Sequence, residues 1–552
     1  MATNILSIGQ SALAAAQVGL STTGHNIANA ATPGYNRQVV VQSAAKAQDF
    51  GFGFLGQGTE ISTVKRVYSE FLGAQVRSAQ TTKSGLDSYY AQIKQIDNML
   101  ADPASGLSPA MQNFFSGVQE LSSNPASIPA RQAALSSAES LASRFQSMAG
   151  RFQEMEQGIN SQITSSVGVI NSYATQIAQL NDAIGRTQGA SGQPANDLID
   201  QRDQLILDLN KEIKTTVVKQ GDGDYNVFIG NGQPLVVGVT ASSLTTIASP
   251  TNPQKIEVAY PTPSGTVIVG GASLAGGKLG GLLAFRSQTL EPTQAALDTL
   301  AIGIASTFNA QHRLGQDLNG NAGGDFFTVP SAAVGASGFA VAITDPRLIA
   351  AAAPIRTAAG STNTGMAAIS AGSVNAPPPP NANLTQPVTI TFTSATTFDV
   401  SGTGTGNPTG VTYTPGATLT YNGWSTTISG TPITGDSFSI AANTGGVGDS
   451  RNALLLGALQ TANIMNGGTT TYQGAYSQIV TQIGNKTREL DATSSAAGKL
   501  LLEATLSLQT ESGVNLDEEA TNLLRYQQAY QAAGKVMQIA SQMFDVLLSL
   551  GR

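Results

Sequence analysis

The chain contains no cysteine, which removes disulfides, thiolate nucleophiles and sulfur-ligated metal sites together. Packing and polar contacts must hold it. Charge is scarce as well: Asp, Glu, Lys and Arg make up 11% of 552 residues, so Ser, Thr, Gln, Asn and Gly must cover most of the surface. The 28 basic residues are scattered and the formal net charge is −7. No basic stripe is present to neutralise phosphates, which sets nucleic acid aside as a partner. Histidine occurs only at His25 and His312, too isolated for a metal-spaced cluster or a catalytic pair. Long apolar runs are missing too. The opening "MATNILSIGQSALAAAQVGL" has no basic leader, and Gln10 and Gln17 interrupt its apolar residues. It reads neither as a cleaved signal peptide nor as a membrane span, so no membrane insertion is expected.

What is present is enough for a large core, with 41% hydrophobic residues and a length suited to roughly three to four domains. Helical patterning dominates both ends. Near the N-terminus Leu6, Leu13, Leu20 and Ile27 recur every seven residues with Ala16 among them, a narrow stripe suited to close helix contact. The helix carries Asn26 and Asn29 near its end and is then stopped by Thr-Pro-Gly. Pro33 disfavours a helical residue before it, and Pro33-Gly34 supplies the central pair of a type II turn. Two roles stay open for the asparagine amides: local capping of the helix end, or reaching the backbone of a neighbouring subunit.

The C-terminal segment carries the sharpest local signal. Asn515 is a suitable N-cap, Glu518 follows three residues later as in a capping box, and Asp517 to Glu519 place negative charge at the helix start. Leu516, Leu523, Tyr530, Met537 and Phe544 then repeat by sevens. Glu519, Tyr526, Ala533, Ala540 and Leu547 form a companion row in which only Glu519 is out of character. Such a helix, about 50 Å long, needs a partner for its apolar face. The N-terminal stripe offers one, in parallel or antiparallel orientation. Residual apolar and amide surface is left for neighbouring subunits, although on the pattern alone an ordinary intramolecular core pair is the simpler account.

Between the ends, "NRQVVVQ" and the region "GFGFLGQGTEISTVKRV" read as strands, and helices run from near Ser69 to Ile213 with breaks at "DPASGLSP", "SNPASIPA" and "QGASGQPAND". Period-two patterning covers about 215 to 269, with Asp222-Gly223 as a hairpin turn. A helix returns over 277 to 314. Residues 326 to 450 are rich in Thr, Ser and Gly with short alternating strands. The expected fold is multidomain α plus β with nested, discontinuous domains: 1–68 with 505–552 as a coiled-coil-like terminal helical domain, 69–325 with 451–504 as a mainly helical middle domain, and 326–450 as a β-rich insertion.

Chemical motifs are weak. "GFGFLG" has dinucleotide-loop spacing but is followed by a strand rather than a helix. "DLNGNAGGDFFT" begins like a calcium loop, but Ala322 and Thr328 stand at the required glycine and glutamate positions, so it reads as a turn. Asp197, Asp200, Asp203 and Asp208 with Arg202 read as a solvated helix face. Trp424 reads as the anchor of a β core rather than a glycan-binding surface. No catalytic residue, metal site or cofactor is expected.

Resemblance supplies a role. "LSTTGHNIANAATPGYNRQVV" and "SGVNLDEEATNLLRYQQAYQAAGKVMQIASQMFDVLLSL" resemble the N- and C-terminal signatures of the bacterial flagellar rod, hook and hook-associated axial proteins. "NDLIDQRDQLILDLN" and "DLNGNAGGDFF" resemble the members that join hook to filament. The resemblance implies a non-enzymatic, extracellular structural subunit, exported by the flagellar type III apparatus with an export chaperone. It also implies assembly into a ring-like layer with copies of itself, the hook protein and a second junction protein. Isolated subunits would have mobile ends that order on assembly. Another axial subunit, of hook or rod type, and a surface adhesin with a glycan-binding β domain are the rival readings.

Overall fold

Helical periodicity, proline stops and glycine turns divide the chain into long helices and short strands. The computed structural model describes residues 2–49, 51, 53–102, 106–221 and 223–550, with the side chains of 2–4, 547, 548 and 550 left out of the description. Its helices are α1 (Ala2–Asn29), α2 (Glu70–Leu100), α3 (Leu107–Ser123), α4 (Ile128–Ser191), α5 (Asn196–Glu212), α6 (Gly277–Phe285), α7 (Glu291–His312), α8 (Arg451–Ala458), α9 (Tyr472–Ser512) and α10 (Leu516–Leu550). Two compact units share them. One comprises Met1–Ile93, Glu156–Ser287 and Thr487–Arg552, the other Lys94–Met155 and Gln288–Lys486.

In the first unit α1 leads into a two-stranded antiparallel ribbon, β1 (Gln38–Ala44) with β4 (Thr59–Arg66). The short hairpin β2 (Gln48–Asp49) and β3 (Phe54–Leu55) connects them. The "GFGFLG" stretch therefore turns within a hairpin, although Phe50 and Phe52 lie outside the described residues. The α4 helix buries Ile159, Ile163, Val167, Ile170, Ala174 and Ile177 at three- and four-residue spacing, each large side chain contributing roughly 1.5–3 kcal/mol when covered. Two small antiparallel sheets complete the unit. One is ordered β5 (Thr215–Lys219), β6 (Tyr225–Ile229), β7 (Gln233–Val237), β8 (Thr240–Ala241); in the other β10 (Ile256–Thr262) lies between β9 (Thr245–Ala248) and β11 (Gly265–Ile268). The hairpin expected at Asp222-Gly223 joins β5 to β6; Asp222 itself lies outside the described residues, and Gly223 takes a left-handed φ of 93°.

The second unit is organised by aromatic packing. Phe114 of α3 and Phe308 of α7 have ring centroids 5.2 Å apart, and Phe326 lies 4.9 Å from Phe308. The β-rich segment has its own core, in which Trp424 is fully buried among Ile390, Phe398, Phe438 and Ile440. Its five-stranded antiparallel sheet runs in the order Ile355–Ala359, Ser437–Ala442, Val388–Phe392, Thr397–Ser401, Val411–Thr412. "DLNGNAGGDFF" is a turn: the Asp317 carboxylate accepts from the backbone amides of Asn319 and Asn321 at 2.9 and 2.8 Å.

His312, fully buried, is held neutral by its surroundings. The Ala350 amide donates to Nε2 at 2.9 Å, so Nδ1 carries the proton and donates to the Gly324 carbonyl at 2.8 Å. Burial pushes its pKa down to about 4. The folded value lies below the unfolded one, so the unfolded chain takes up the proton first as pH falls. Stability is full above about pH 6.5 and declines until about pH 4, by on the order of 3 kcal/mol. Urea unfolding at pH 7 and pH 4 should show this loss in the native chain and a smaller one in His312→Asn. An equal loss in both would remove His312 as its source.

Candidate assembly interface

The two ends of the chain meet side by side. A Cβ added to Gly9 would lie 2.9 Å from the Met537 sulfur, one added to Gly19 would lie 2.5 Å from the Tyr526 ring, and Asn26 bonds Glu519. Residue numbers rise on one helix as they fall on the other, so α1 and α10 are antiparallel. The face of α1 that is buried consists of Gly9, Ala15, Ala16, Gly19, Thr23 and Asn26, small groups that let two helices approach closely. Leu6, Leu13 and Leu20 are only half-buried and Ile27 is exposed. On α10 the buried row is Glu519, Ala533 and Ala540, with Tyr526 and Met537 half-buried beside them. This is the row in which Glu519 looked misplaced.

Glu519 has a defined partner set. Its side chain is 2% exposed, and its carboxylate accepts from Arg37 Nε at 2.7 Å and Asn26 Nδ2 at 3.1 Å. Asn26 is in turn fully engaged inside the chain. Nδ2 also donates to the Gln38 carbonyl at 2.8 Å, while Oδ1 accepts from the Gln38 amide at 3.0 Å and from the Tyr35 hydroxyl at 2.7 Å. The amide thus serves the first residue of β1 as a neighbouring strand would. Tyr35 is driven far above its usual range by burial and by the nearby carboxylates of Asp197, Asp200 and Glu519, so its hydroxyl stays protonated as a donor. Asn29 acts locally, donating to the His25 carbonyl at 3.0 Å. Between these groups Tyr35 N bonds Thr32 O at 3.2 Å across Pro33-Gly34, with Gly34 at φ 77°, as the type II turn requires. At the other helix start Asn515 Oδ1 accepts from the amides of Asp517 and Glu518 at 3.0 and 3.4 Å. The Glu518 carboxylate lies 2.8 Å from Arg37, in place of the reciprocal bond of a capping box.

The expectation of a solvated carboxylate face on α5 is overturned. Asp200 and Arg202 are buried. Asp200 accepts from the Asn36 amide at 2.9 Å, from Asn36 Nδ2 at 2.6 Å and from Arg66 at 2.7 Å, and Arg66 also reaches Asp203 at 2.7 Å. Burial alone would lower the Arg66 pKa, but Asp203 and Asp200 more than offset it and hold the guanidinium charged. Arg202 stacks 3.6 Å over the Tyr225 ring and donates to Asn181. Asp197, on the exposed side, takes a bond from Gln38 Nε2 at 2.7 Å and stands 3.2 Å from His25. One helix thereby fixes both ends of the segment that follows α1. Nothing in residue type distinguishes these acids from surface ones.

Most of α10 remains uncovered. Leu516, Leu524 and Ile539 are 54%, 59% and 55% exposed, and Leu523, Tyr530, Val536, Met543, Phe544 and Val546 are exposed as well; the side chain of Leu547 lies outside the described ones. Such a run of large apolar groups marks an interaction surface. Over 99% of its length this chain is 34% identical to the flagellar hook-associated protein 1 of Escherichia coli K12, covering all of that protein. The chain belongs to the flagellar hook-associated protein 1 family. The match to the Bacillus subtilis protein of the same name is 24% identical over 99% of this chain and 97% of that one. A family model described as the helical domain of flagellar hook-associated protein FlgK matches residues 93–327. Models of the flagellar basal body rod protein and of the FlgEFG rod C-terminal region match 6–36 and 509–550. The solved structure of the flagellar hook junction protein FlgK from Burkholderia pseudomallei is 32% identical and superimposes with a TM-score of 0.72, over 79% of this chain and 99% of that one. This family member is a structural axial subunit of the flagellum at the hook–filament junction, and it assembles with other axial proteins. Among the described residues no helix is long and apolar enough to cross a membrane.

Proposed function

We propose that residues 1–68 and 505–552 form the polymerising part of the junction subunit, with 69–325 and 451–504 as its middle part and 326–450 as a separate insertion. The observation that carries this is the bare apolar surface of α10 beside a seam already filled by small residues. A helix pair closed at its seam and open on its flanks is suited to packing against further helices. Each flank side chain covered by a neighbour adds roughly 1.5–3 kcal/mol. In this proposal Leu6, Leu13, Leu20 and Ile27 on α1 join Leu516, Leu523, Tyr530, Phe544 and Leu547 on α10 in contacts with copies of the chain, the hook protein and the second junction protein. Tyr526, Ala533 and Met537 back the pair from within. The subunit is exported by the type III apparatus, with a chaperone covering α10 until assembly, and carries out no catalysis.

Purified protein added to isolated hooks should stop their growth and permit the next junction protein to bind. Leu523 is exposed in the lone chain, so Leu523→Asp should abolish incorporation at hook tips while leaving thermal unfolding of the subunit unchanged. Deleting 516–552 should also abolish incorporation, whereas removing much of 326–450 should be tolerated. Normal incorporation of Leu523→Asp would reject the α10 flank as the contact.

A further inference from the structure

The ribbon after α1 ends in exposed apolar side chains among the described residues. Hairpin β2–β3 has only two residues in each strand, and Phe54 is 76% exposed with Leu55 exposed beside it. Short two-stranded hairpins are marginal in water without an apolar cover. The ribbon passes α1 at Ser11, whose hydroxyl meets the Thr59 amide at 3.3 Å, and the hairpin lies beyond that point. At the opposite end of α1 is a cleft of about 720 Å³ in the same unit; most of its lining is polar, His25 and Asp197 included, with Pro33, Leu180, Ala183 and Leu205 as its aliphatic part. A cavity of this size accepts several side chains, aromatic ones included.

Ser11 and His25 are about 20 Å apart along the helix, so the tip, beyond Ser11, stands well apart from the cleft of its own chain. An exposed apolar knob and a partly apolar cleft at different levels of one molecule form a heterologous pair, which repeats from copy to copy instead of closing a two-fold dimer. The charges agree in part. Exposed Lys46 lies on the arm leading to the tip, and the exposed carboxylate of Asp197 lines the cleft; the arm also carries Asp49, which accepts from the Gly51 amide at 2.8 Å, and Glu60. The arm is also continuous with the α1–α10 pair, because β1 begins at the residue that Asn26 holds.

We infer that Phe54 and Leu55 of one copy seat in the His25–Asp197 cleft of the next, staggering neighbouring subunits along α1. This rests on the proposal that copies of the chain assemble, and it adds a second contact remote from the α10 flank.

The absence of native cysteine permits a direct test. Full-length Phe54→Cys and Gln179→Cys, both at exposed positions, are mixed, added to isolated hooks and treated with a short bismaleimide. The expected result is a crosslinked dimer that needs both variants and appears only after incorporation. Phe54→Ser with Leu55→Ser should lower incorporation about tenfold with unchanged thermal unfolding. Wild-type levels of incorporation without the mixed dimer would overturn the inference and leave assembly through α10 standing. Failure of the wild-type chain to add to hooks would overturn both.

Discussion

Replacing Gly19 with leucine is expected to part the terminal helices. Even a methyl group there would sit 2.5 Å from two carbons of the Tyr526 ring and 2.7 Å from its root, and a ring held at its root cannot swing clear as a flexible tip could. Overpacking of this kind costs about 1–3 kcal/mol and sometimes more. At the upper end, amide exchange throughout α1 and α10 should accelerate about a hundredfold in the isolated subunit. Tyr526→Ala in the same chain should restore most of the protection by vacating the space. Gly9→Ala provides the contrast, because its neighbour is the adaptable Met537 thioether, and its exchange should change little. Equal exchange in native and Gly19→Leu chains would mean the helices are not paired through this face.

A comparable loss should follow Arg66→Ala. The guanidinium is 10% exposed and is shared at 2.7 Å by two carboxylates, one 6% and one 10% exposed. Removing it leaves both acids buried beside each other without their counter-charge, a change that typically costs about 3–5 kcal/mol. The ribbon 38–66 should lose exchange protection before the α4 core does. Adding Asp203→Asn should recover part of the loss, since one uncompensated charge is removed while Asp200 keeps its bonds from Asn36. If the single variant unfolds like the native chain, the clamp on α5 contributes little to stability.

Which of these features could be read from the sequence follows from how local they are. The start of α10 was legible because Asn515 and the three acids after it act within one helical turn. The Thr-Pro-Gly turn was legible because proline and glycine restrict the backbone directly. The α1–α10 seam was harder: Gly9, Ala16 and Gly19 carry almost no hydrophobic signal, so the eye goes to Leu6, Leu13 and Leu20, which stand beside the contact. The Arg66 clamp left no trace, because its partners are 134 and 137 residues away and isolated acids on a helix look alike whether wet or dry. The Asn26 amide is hidden for a different reason. Its main partner is only twelve residues away, but it is backbone, which any residue type could have offered.

Glu519 and Asn26 are separated by 493 positions, nearly the whole polypeptide. Whichever end emerges first, into solvent or out of a narrow conduit, must wait for the other before this bond can close. The rest of the molecule can be folding meanwhile. The sticky layer is therefore the last to mature, and a truncated or half-delivered chain never acquires it. Because the bond joins one amide to one acid that Arg37 also holds, it acts as an index mark: a slip of one turn between the helices would move the acid from Asn26 to Thr23 or Ala30.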